Sequence, residues 1–513
     1  MESIRELLDN CKREYSKLPA VKWPVGQDVF LITYNELEEN ASLVRRGLSA
    51  EGFNRDHIAI IGHSSVDWLQ AFFGITSGDN AAVLLDPLLP DEELAELIVR
   101  SDSRVVFLDD SKRDLVDTIK SDCPQVAKIY LLQDMSMEIE NYLGSLNGLK
   151  NLGKVSGDVD GSSGDDLAMI IFTSGTTGKS KGVMLTQKNL ISNVEAVEYE
   201  VAPGEVVLSV LPIHHAYCLV MDYLKCLSLG CTVCINDSFM HMVKNMQLFK
   251  PSVMLMVPMM IETIYKRLQS GAKLLPKKLV AAKVFGGNLT TVFSGGAHLD
   301  PFYIEKLGEY GVNIYQGYGM SECSPVISFN TPSGNKPGSV GKILKNAEVK
   351  IEDGEILVRS TSVMAGYYKM PEETSKTLEN GWLHTGDKGY IDKDGYLFIN
   401  GRVKNLIILS NGENISPEEI ENKLGLYPLV DEVVVTGEGN GLVARIYPDQ
   451  DMVSKKRMDD EKLEKELQKV IDDYNSAQPT YRRIARLIIR ENPFRRNTTR
   501  KILRQYATED VPA

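Results

Sequence analysis

Two periods of apolar and polar positions run along this chain, and the switches between them mark most of its elements. "HIAIIGH" (57–63) and "AAVLLD" (81–86) are short continuous apolar runs bounded by polar turns, the pattern of strands buried on both faces. "YNELEENASLVRRGLSAEG" (34–52) carries its apolar residues at helical spacing, and so does the charged N-terminal stretch "MESIRELLDNCKREYSKL". Alternation of this kind predicts βα units with parallel strands, an α/β architecture. Further on, Leu167 to Phe172 and Val183 to Leu185 are apolar runs on either side of a glycine-rich loop. Thr186 then stands as N-cap before Leu190, Ile191, Val194 and Val197 at helical spacing. The predicted order is strand, loop, strand, helix. Just before it, "GKVSGDVDGSSGDD" (153–166) has the composition of a surface linker.

Past residue 400 the texture changes. "GRVKNLIILSNGENISPEEIENKL" predicts a strand, a hairpin turn at Asn411-Gly412 and a helix. Ser416 as N-cap, Pro417 at N1 and Glu419 at N3 have the form of a capping box. Strands "DEVVVTG" and "LVARIYP", a helix from about 460 to 475 and strand "IARLIIR" complete a small α+β unit. These patterns place a large domain over 1–401 and a small one over 402–513.

At 513 residues the chain exceeds one ordinary core, in keeping with two or more domains. Hydrophobic content of 43% and charged content of 25% fit a globular protein, and a net charge of −13 excludes a general nucleic-acid binder. The seven cysteines, an odd number, suggest reduced thiols and a cytoplasmic setting. Cys231 and Cys234 form a C-x-x-C, but on a strand such residues face opposite sides, so they are read as core cysteines and not as metal ligands. The N-terminus has no signal-peptide segment, and the most apolar stretch, Cys218 to Ile235, is interrupted by Asp222, Lys225 and Gly230. No transmembrane segment is expected; peripheral membrane contact is left open. Charge is uneven: residues 479–504 hold nine Lys and Arg against Glu491 alone, a net +8 that leaves about −21 elsewhere. Such a run is either a solvated face or a site for a polyanionic small molecule.

The glycine-rich loop asks a chemical question. Gly178, Lys179 and Ser180 supply the end of a Walker P-loop, but Thr173 stands where its first glycine belongs. A Walker lysine also opens a helix, whereas Lys179 leads into a strand pattern. The loop is nevertheless suited to anions. Its glycines let backbone N–H groups approach phosphate, Thr173, Ser174, Thr176 and Thr177 add hydroxyls, and Lys179 and Lys181 add charge.

Six stretches in order now combine: "FTSGTTGKSKG" (172–182), "LPIHHAY" (211–217), "SGGAHL" (294–299), "YQGYGMSE" (315–322), "WLHTGDKGYIDKDGYLFINGRVK" (382–404) and "FRRNTTRKILR" (494–504). The set resembles the ANL superfamily of adenylate-forming enzymes over nearly the whole chain, closest in look to bacterial long-chain-type acyl-CoA synthetases. The resemblance implies a large multi-subdomain N-terminal adenylation domain and a small mobile α+β C-terminal domain. The implied reaction joins a carboxylic acid to the α-phosphate of ATP, releasing pyrophosphate, and then transfers the acyl group to a thiol with release of AMP. ATP, Mg²⁺ and CoA are the implied cofactors and co-substrates.

The resemblance also assigns roles. Thr173, Ser174, Gly175, Thr176, Thr177, Gly178 and Lys179 would hold the β- and γ-phosphates and orient pyrophosphate as leaving group. Gly295, Gly296 and Ala297 let the flat adenine and the adenylate lie against backbone. Tyr318 offers a ring for adenine, with Gly319 and Met320 continuing that nucleotide-binding stretch. Ser321 stands where the family usually has threonine and would donate to the α-phosphate, while Glu322 would hold Mg²⁺. Asp387 matches the acceptor of both ribose hydroxyls, Arg402 a ribose or phosphate contact, and Lys404 the hinge. Lys501 matches the lysine that reaches the α-phosphate and the acyl carboxylate. His215 matches the histidine of L-P-x-x-H-x-[FY] beside the acid site, with His214 competing for the place. Two departures stand out: Arg500 replaces the usual glycine before the lysine, as in bacterial fatty-acid-type branches, and Asn497 replaces a threonine.

The leading reading is therefore an acyl-CoA synthetase for a fatty or related acid. Its alternative is a stand-alone adenylation enzyme that loads a separate carrier protein; with the chain ending twelve residues after Lys501, no fused carrier domain is expected. A P-loop NTPase and a catalytically dead nucleotide binder are the remaining classes. The first conflicts with the missing glycine, the second with the presence of Glu322, Asp387 and Lys501.

Overall fold

A computed structural model of the protein describes all residues except 134–142, 160, 174–179, 200, 273–275, 409–413, 439–440, 497–501 and 512–513. The chain divides into two compact units. The first comprises Met1–Val349, Val358–His384 and Lys393–Leu397; the second comprises Lys350–Leu357, Thr385–Asp392 and Phe398–Ala513.

The first unit is α/β, as the alternating patterns predict. One of its sheets has eight strands, and its centre is parallel: Ala81–Leu85, His57–Ile61, Ser103–Leu108 and Lys128–Leu131 lie side by side. Leu167–Thr173 joins this array in parallel beside Ala81–Leu85, and Lys181–Thr186 pairs with it antiparallel. Continuous apolar runs arise here because helices cover the sheet: Val83, Val106 and Ile129 pack with Leu94, Ile98 and Ile119 in one core. The other sheet has nine strands, among them Val206–Ser209, Val253–Met256, Thr291–Ser294 and Asn313–Gly319 in parallel.

The second unit contains a three-stranded sheet, Val430–Glu438, Gly441–Pro448 and Ile484–Ile489, with helices Pro417–Leu424 and Asp460–Ser476. Ile420, Leu424, Ala444, Ile446, Leu467 and Ile471 form its core.

Two expectations are corrected. The capping box at Ser416 does not close: Ser416 is the N-cap and Pro417 is N1, but the Ser416 hydroxyl donates to Glu418 Oε2 at 2.8 Å and Glu419 is held by Arg482. A hydroxyl donating to an ionised carboxylate makes a stronger bond than one accepting from a neutral backbone amide. The linker over 153–166 begins inside helix Leu146–Val155, where Gly153 is buried; a Cβ there would lie 2.0 Å from the Leu43 carbonyl oxygen. Over its described residues the basic run 479–504 is largely an exposed face, with Arg483, Arg486, Arg495 and Arg496 at the surface, and most of its cations have carboxylate partners. Arg482 pairs with Glu419, Arg486 with Glu438, Arg495 with Glu509, Arg496 with Glu432 and Arg504 with Glu421. The apolar stretch after residue 217 forms a largely buried π-helix, Tyr217–Lys225, followed by a short α-helical turn. Cys231 and Cys234 are both buried, and all seven cysteines are free. The Asn411-Gly412 turn lies outside the described residues, between the antiparallel pair Ile407–Ile408 and Asn414–Ile415.

Candidate active site

The glycine-rich loop is rooted in a hairpin. Thr173 and Lys181 are register partners at the ends of the two antiparallel strands, and the Thr173 hydroxyl lies 3.5 Å from the Lys181 carbonyl oxygen. Ser174, Gly175, Thr176, Thr177, Gly178 and Lys179 lie outside the described residues. The helix after the loop starts only at Gln187, where Thr186 and Asn189 cap each other reciprocally. A loop that returns as an antiparallel strand is not a Walker arrangement. Lys181, one residue past Ser180, is engaged: its ammonium is 2.6 Å from Glu373 Oε2 and 4.9 Å from the centre of the Tyr367 ring.

The carboxyl ends of the nine-stranded sheet carry the next group. Strand Thr291–Ser294 runs into Gly295, Gly296 and Ala297, with Gly296 at φ +82°. A Cβ on Gly295 would sit 3.1 Å from the Tyr217 ring, so this glycine lets the histidine segment approach. Tyr217 in turn donates to the Phe293 carbonyl at 3.3 Å. On the adjacent strand Ser294 faces Gln316 in register, and both Ser294 Oγ and Gln316 Oε1 are buried without a hydrogen-bond partner among the described residues. Tyr318 pairs in register with Ser328, and Gly319 closes the strand where a Cβ would come within 2.1 Å of the Pro325 carbonyl oxygen. Met320 N–H donates to that same carbonyl at 2.9 Å.

Ser321 and Glu322 follow on a single 3₁₀ turn. Glu322 Oε1 accepts from the Tyr367 hydroxyl at 2.8 Å, and its backbone carbonyl accepts from Met364 N–H at 2.9 Å. No hydrogen bond to Glu322 Oε2 or to the Ser321 hydroxyl occurs among the described residues. Two hard oxygen donors side by side fit Mg²⁺, which is commonly held by one or two carboxylates together with substrate phosphates. Among the described residues, no three His, Cys, Asp or Glu gather as a self-sufficient metal cage.

The two histidines have distinct surroundings. His214 is buried with Nε2 3.6 Å from Asp86 Oδ1, and its ring centre is 4.3 Å from that of His215. His215 is half-buried and its carbonyl receives Leu219 N–H at the start of the π-helical segment. Ile213 N–H donates to the Ser64 hydroxyl at 3.2 Å, tying the segment to the loop after strand His57–Ile61. In that loop His63 Nδ1 lies 3.0 Å from Asp109 Oδ2. The bond to Asp109 raises the His63 pKa above its ordinary value against the effect of burial.

In the second unit Asp387 is buried, and its Oδ1 lies 2.8 Å from Arg402 Nε. Its backbone N–H donates to Thr385 Oγ1 at 3.1 Å, and the Thr385 hydroxyl donates to the Ile356 carbonyl at 2.7 Å. Lys404 is exposed on a 3₁₀ turn, Val403–Asn405. Lys501, Arg500 and Asn497 lie outside the described residues. Arg496 and Ile502, which flank them, form an isolated bridge, and Arg504 makes two 2.7 Å bonds to Glu421. Sequence reasoning missed Tyr367, Glu373 and Asp86. Tyr367 stands 45 residues from Glu322, and no local spacing joins them.

Residues 8–368 match the family model described as AMP-binding enzyme, and residues 404–511 match the AMP-binding enzyme C-terminal domain. The chain belongs to the AMP-binding enzyme family, and so to the ANL superfamily its motifs resemble; it is an enzyme of the acid–thiol ligase type. Among its relatives is the long-chain-fatty-acid–CoA ligase FadD15 of Mycobacterium bovis, 26% identical over 441 residues, 76% of this chain and 72% of the relative. Another is the 2-succinylbenzoate–CoA ligase of Oceanobacillus iheyensis, 30% identical over 429 residues, 81% and 82% of the two chains. In fold it is similar to the anthranilate CoA ligase AuaEII solved with anthranoyl-AMP, with a TM-score of 0.84 at 21% identity over 98% of this chain and 97% of that one. Among the described residues, no helix is long and apolar enough to cross a membrane.

Proposed function

We propose that this protein activates a fatty acid with Mg²⁺·ATP, forms an acyl-adenylate with release of pyrophosphate, and passes the acyl group to CoA with release of AMP, in the cytoplasm. The observation that carries this reading is the ordered set of motifs inside matches that span 8–368 and 404–511, with a phosphate-type loop returning as a strand. The names of relatives that ligate long-chain fatty acids to CoA support the acid and the thiol.

In this reading Thr173 to Lys179 orient the leaving pyrophosphate, and Ser321 donates to the α-phosphate. Glu322 holds Mg²⁺, which when bound spreads the charge of the reacting phosphates. Gly295–Ala297 and Tyr318–Met320 form the nucleotide and adenylate bed. Asp387 and Arg402 receive the ribose, and the chain swivels at Lys404, with 1–401 and 402–513 as the two domains. Lys501 stabilises the charge that develops between carboxylate and α-phosphate. His215 positions the acid, with buried His214 beside it at 4.3 Å between ring centres.

Acid-dependent ATP–pyrophosphate exchange over short, medium and long fatty acids, aryl acids and amino acids tests this, each with and without CoA. Exchange with fatty acids and AMP formation that needs CoA are expected. Exchange with no CoA-dependent turnover would transfer the role to loading of a carrier protein. Orthophosphate release without exchange would overturn adenylation.

A further inference from the structure

We propose that Tyr367 is a positioning residue that aims the Glu322 carboxylate at its cation and links that carboxylate to the strand leaving the glycine-rich loop. This rests on the reading of Glu322 as the metal-holding residue.

Tyr367 is buried and its backbone is fixed on both sides. Gly366 and Tyr367 form a two-residue strand antiparallel to Val183 and Met184. Ala365 N–H donates to the Met184 carbonyl at 3.0 Å, Tyr368 N–H to the Gly182 carbonyl at 2.8 Å, and Tyr367 N–H to Thr374 Oγ1 at 2.9 Å. With the backbone held this way, the ring hydroxyl reaches Glu322 Oε1 at 2.8 Å. A phenol holds its proton at neutral pH and a carboxylate oxygen can only accept, so the hydroxyl is the donor in this bond. That bond takes one lone-pair site of Oε1 and fixes the carboxylate's orientation, leaving Oε2, with no hydrogen bond among the described residues, turned toward a cation.

The ring has a second neighbour of opposite sign. Lys181, the residue that resumes the strand after the loop, sits 4.9 Å from the ring centre and is anchored by Glu373 at 2.6 Å. A cation at a phenol face withdraws electron density from it and strengthens O–H donation. An ordinary core tyrosine would need neither an ammonium at its face nor a carboxylate at its hydroxyl. Here the strand after the phosphate loop and the carboxylate of the following motif meet through one side chain. Oriented ligands of this kind are commonly supported by a hydrogen-bonded neighbour whose loss weakens metal binding about 10- to 100-fold.

The test uses the full chain with Y367F, E322Q and E373Q. One readout is the Mg²⁺ midpoint of ATP–pyrophosphate exchange at fixed ATP. The other needs no turnover: Mn²⁺ bound in the presence of α,β-methylene-ATP, followed by electron paramagnetic resonance. Y367F is expected to weaken Mn²⁺ binding and raise the Mg²⁺ midpoint by about tenfold or more, while saturating Mg²⁺ restores most of the exchange rate. E373Q, which frees Lys181, is expected to shift both in the same direction by a smaller factor, and it carries the test should Y367F fold poorly. Unchanged Mn²⁺ binding in Y367F and E373Q, alongside a large loss in E322Q, would overturn the role of Tyr367. Unchanged binding in E322Q would instead remove the metal-holding role of Glu322 itself.

Discussion

Replacing Asp222 by asparagine should strip a pH dependence from the stability of the first unit. Asp222 lies on the π-helix Tyr217–Lys225 with no solvent exposure. Its Oδ2 receives the Cys218 thiol at 3.7 Å, and Oδ1 has no hydrogen-bond partner among the described residues. The groups that act on it are the Ser209 hydroxyl and the Cys218 thiol, with no cation among them. Burial therefore dominates and pushes its pKa up from 3.8 to about 7. An acid whose folded pKa is raised holds its proton in the folded state while the unfolded chain has already lost it. Its contribution is thus fully present below pH 3.8, falls as pH rises, and is gone above about pH 7. At about 1.4 kcal/mol per unit, the window amounts to roughly 4 kcal/mol.

All three tryptophans, Trp23, Trp68 and Trp382, belong to the first unit, so tryptophan fluorescence in urea reports on it selectively. The difference in unfolding free energy between wild type and D222N cancels the other carboxylates. From pH 4 to pH 8 that difference should move by about 3–4 kcal/mol in favour of D222N, following the linkage slope. Parallel profiles for the two proteins would refute the reasoning.

Other perturbations have defined outcomes. K501A should lower ATP–pyrophosphate exchange by about 10²–10³-fold, the cost of one preorganised charge contact, and affect thiolysis of supplied acyl-adenylate far less. D109N should bring the raised His63 pKa down, as read by imidazole NMR titration. The stability that the raised His63 pKa contributes is present below about pH 6.5 and lost as pH rises through the folded value, so D109N should lose that component in the same window. G319A should destabilise the first unit by about 2–3 kcal/mol in urea, because its Cβ would meet the Pro325 carbonyl at 2.1 Å and neither backbone can yield.

What the sequence carried locally, it carried well. The strand, loop, strand and helix around Thr173 follow from apolar runs and one N-cap threonine, and the structure has them with Thr186 and Asn189 capped reciprocally. The small α+β unit was legible for the same reason. What failed was set by partners distant in sequence. Nothing near Arg496 or Arg504 says that Glu432 and Glu421 neutralise them, so a paired surface reads as a basic run. Gly153 reads as linker because a lone glycine looks the same whether solvated or pressed against the Leu43 backbone. Tyr367 carries no motif of its own; its place beside Glu322 exists only once a two-residue strand docks on Val183 and Met184. Asp222 in an apolar run reads as an interruption, whereas burial among Ser209, Cys218 and Tyr223 raises its pKa to about 7.

The central claim is that a carboxylate oxygen attacks the α-phosphate of ATP. It is tested most directly by supplying a fatty acid labelled with ¹⁸O in its carboxylate, together with ATP, Mg²⁺ and CoA, and weighing the products. Attack at the α-phosphate, then thiolysis, leaves one acid-derived oxygen in AMP, and mass spectrometry should find AMP heavier by one label. Unlabelled AMP, or label in orthophosphate released beside ADP, would contradict the account.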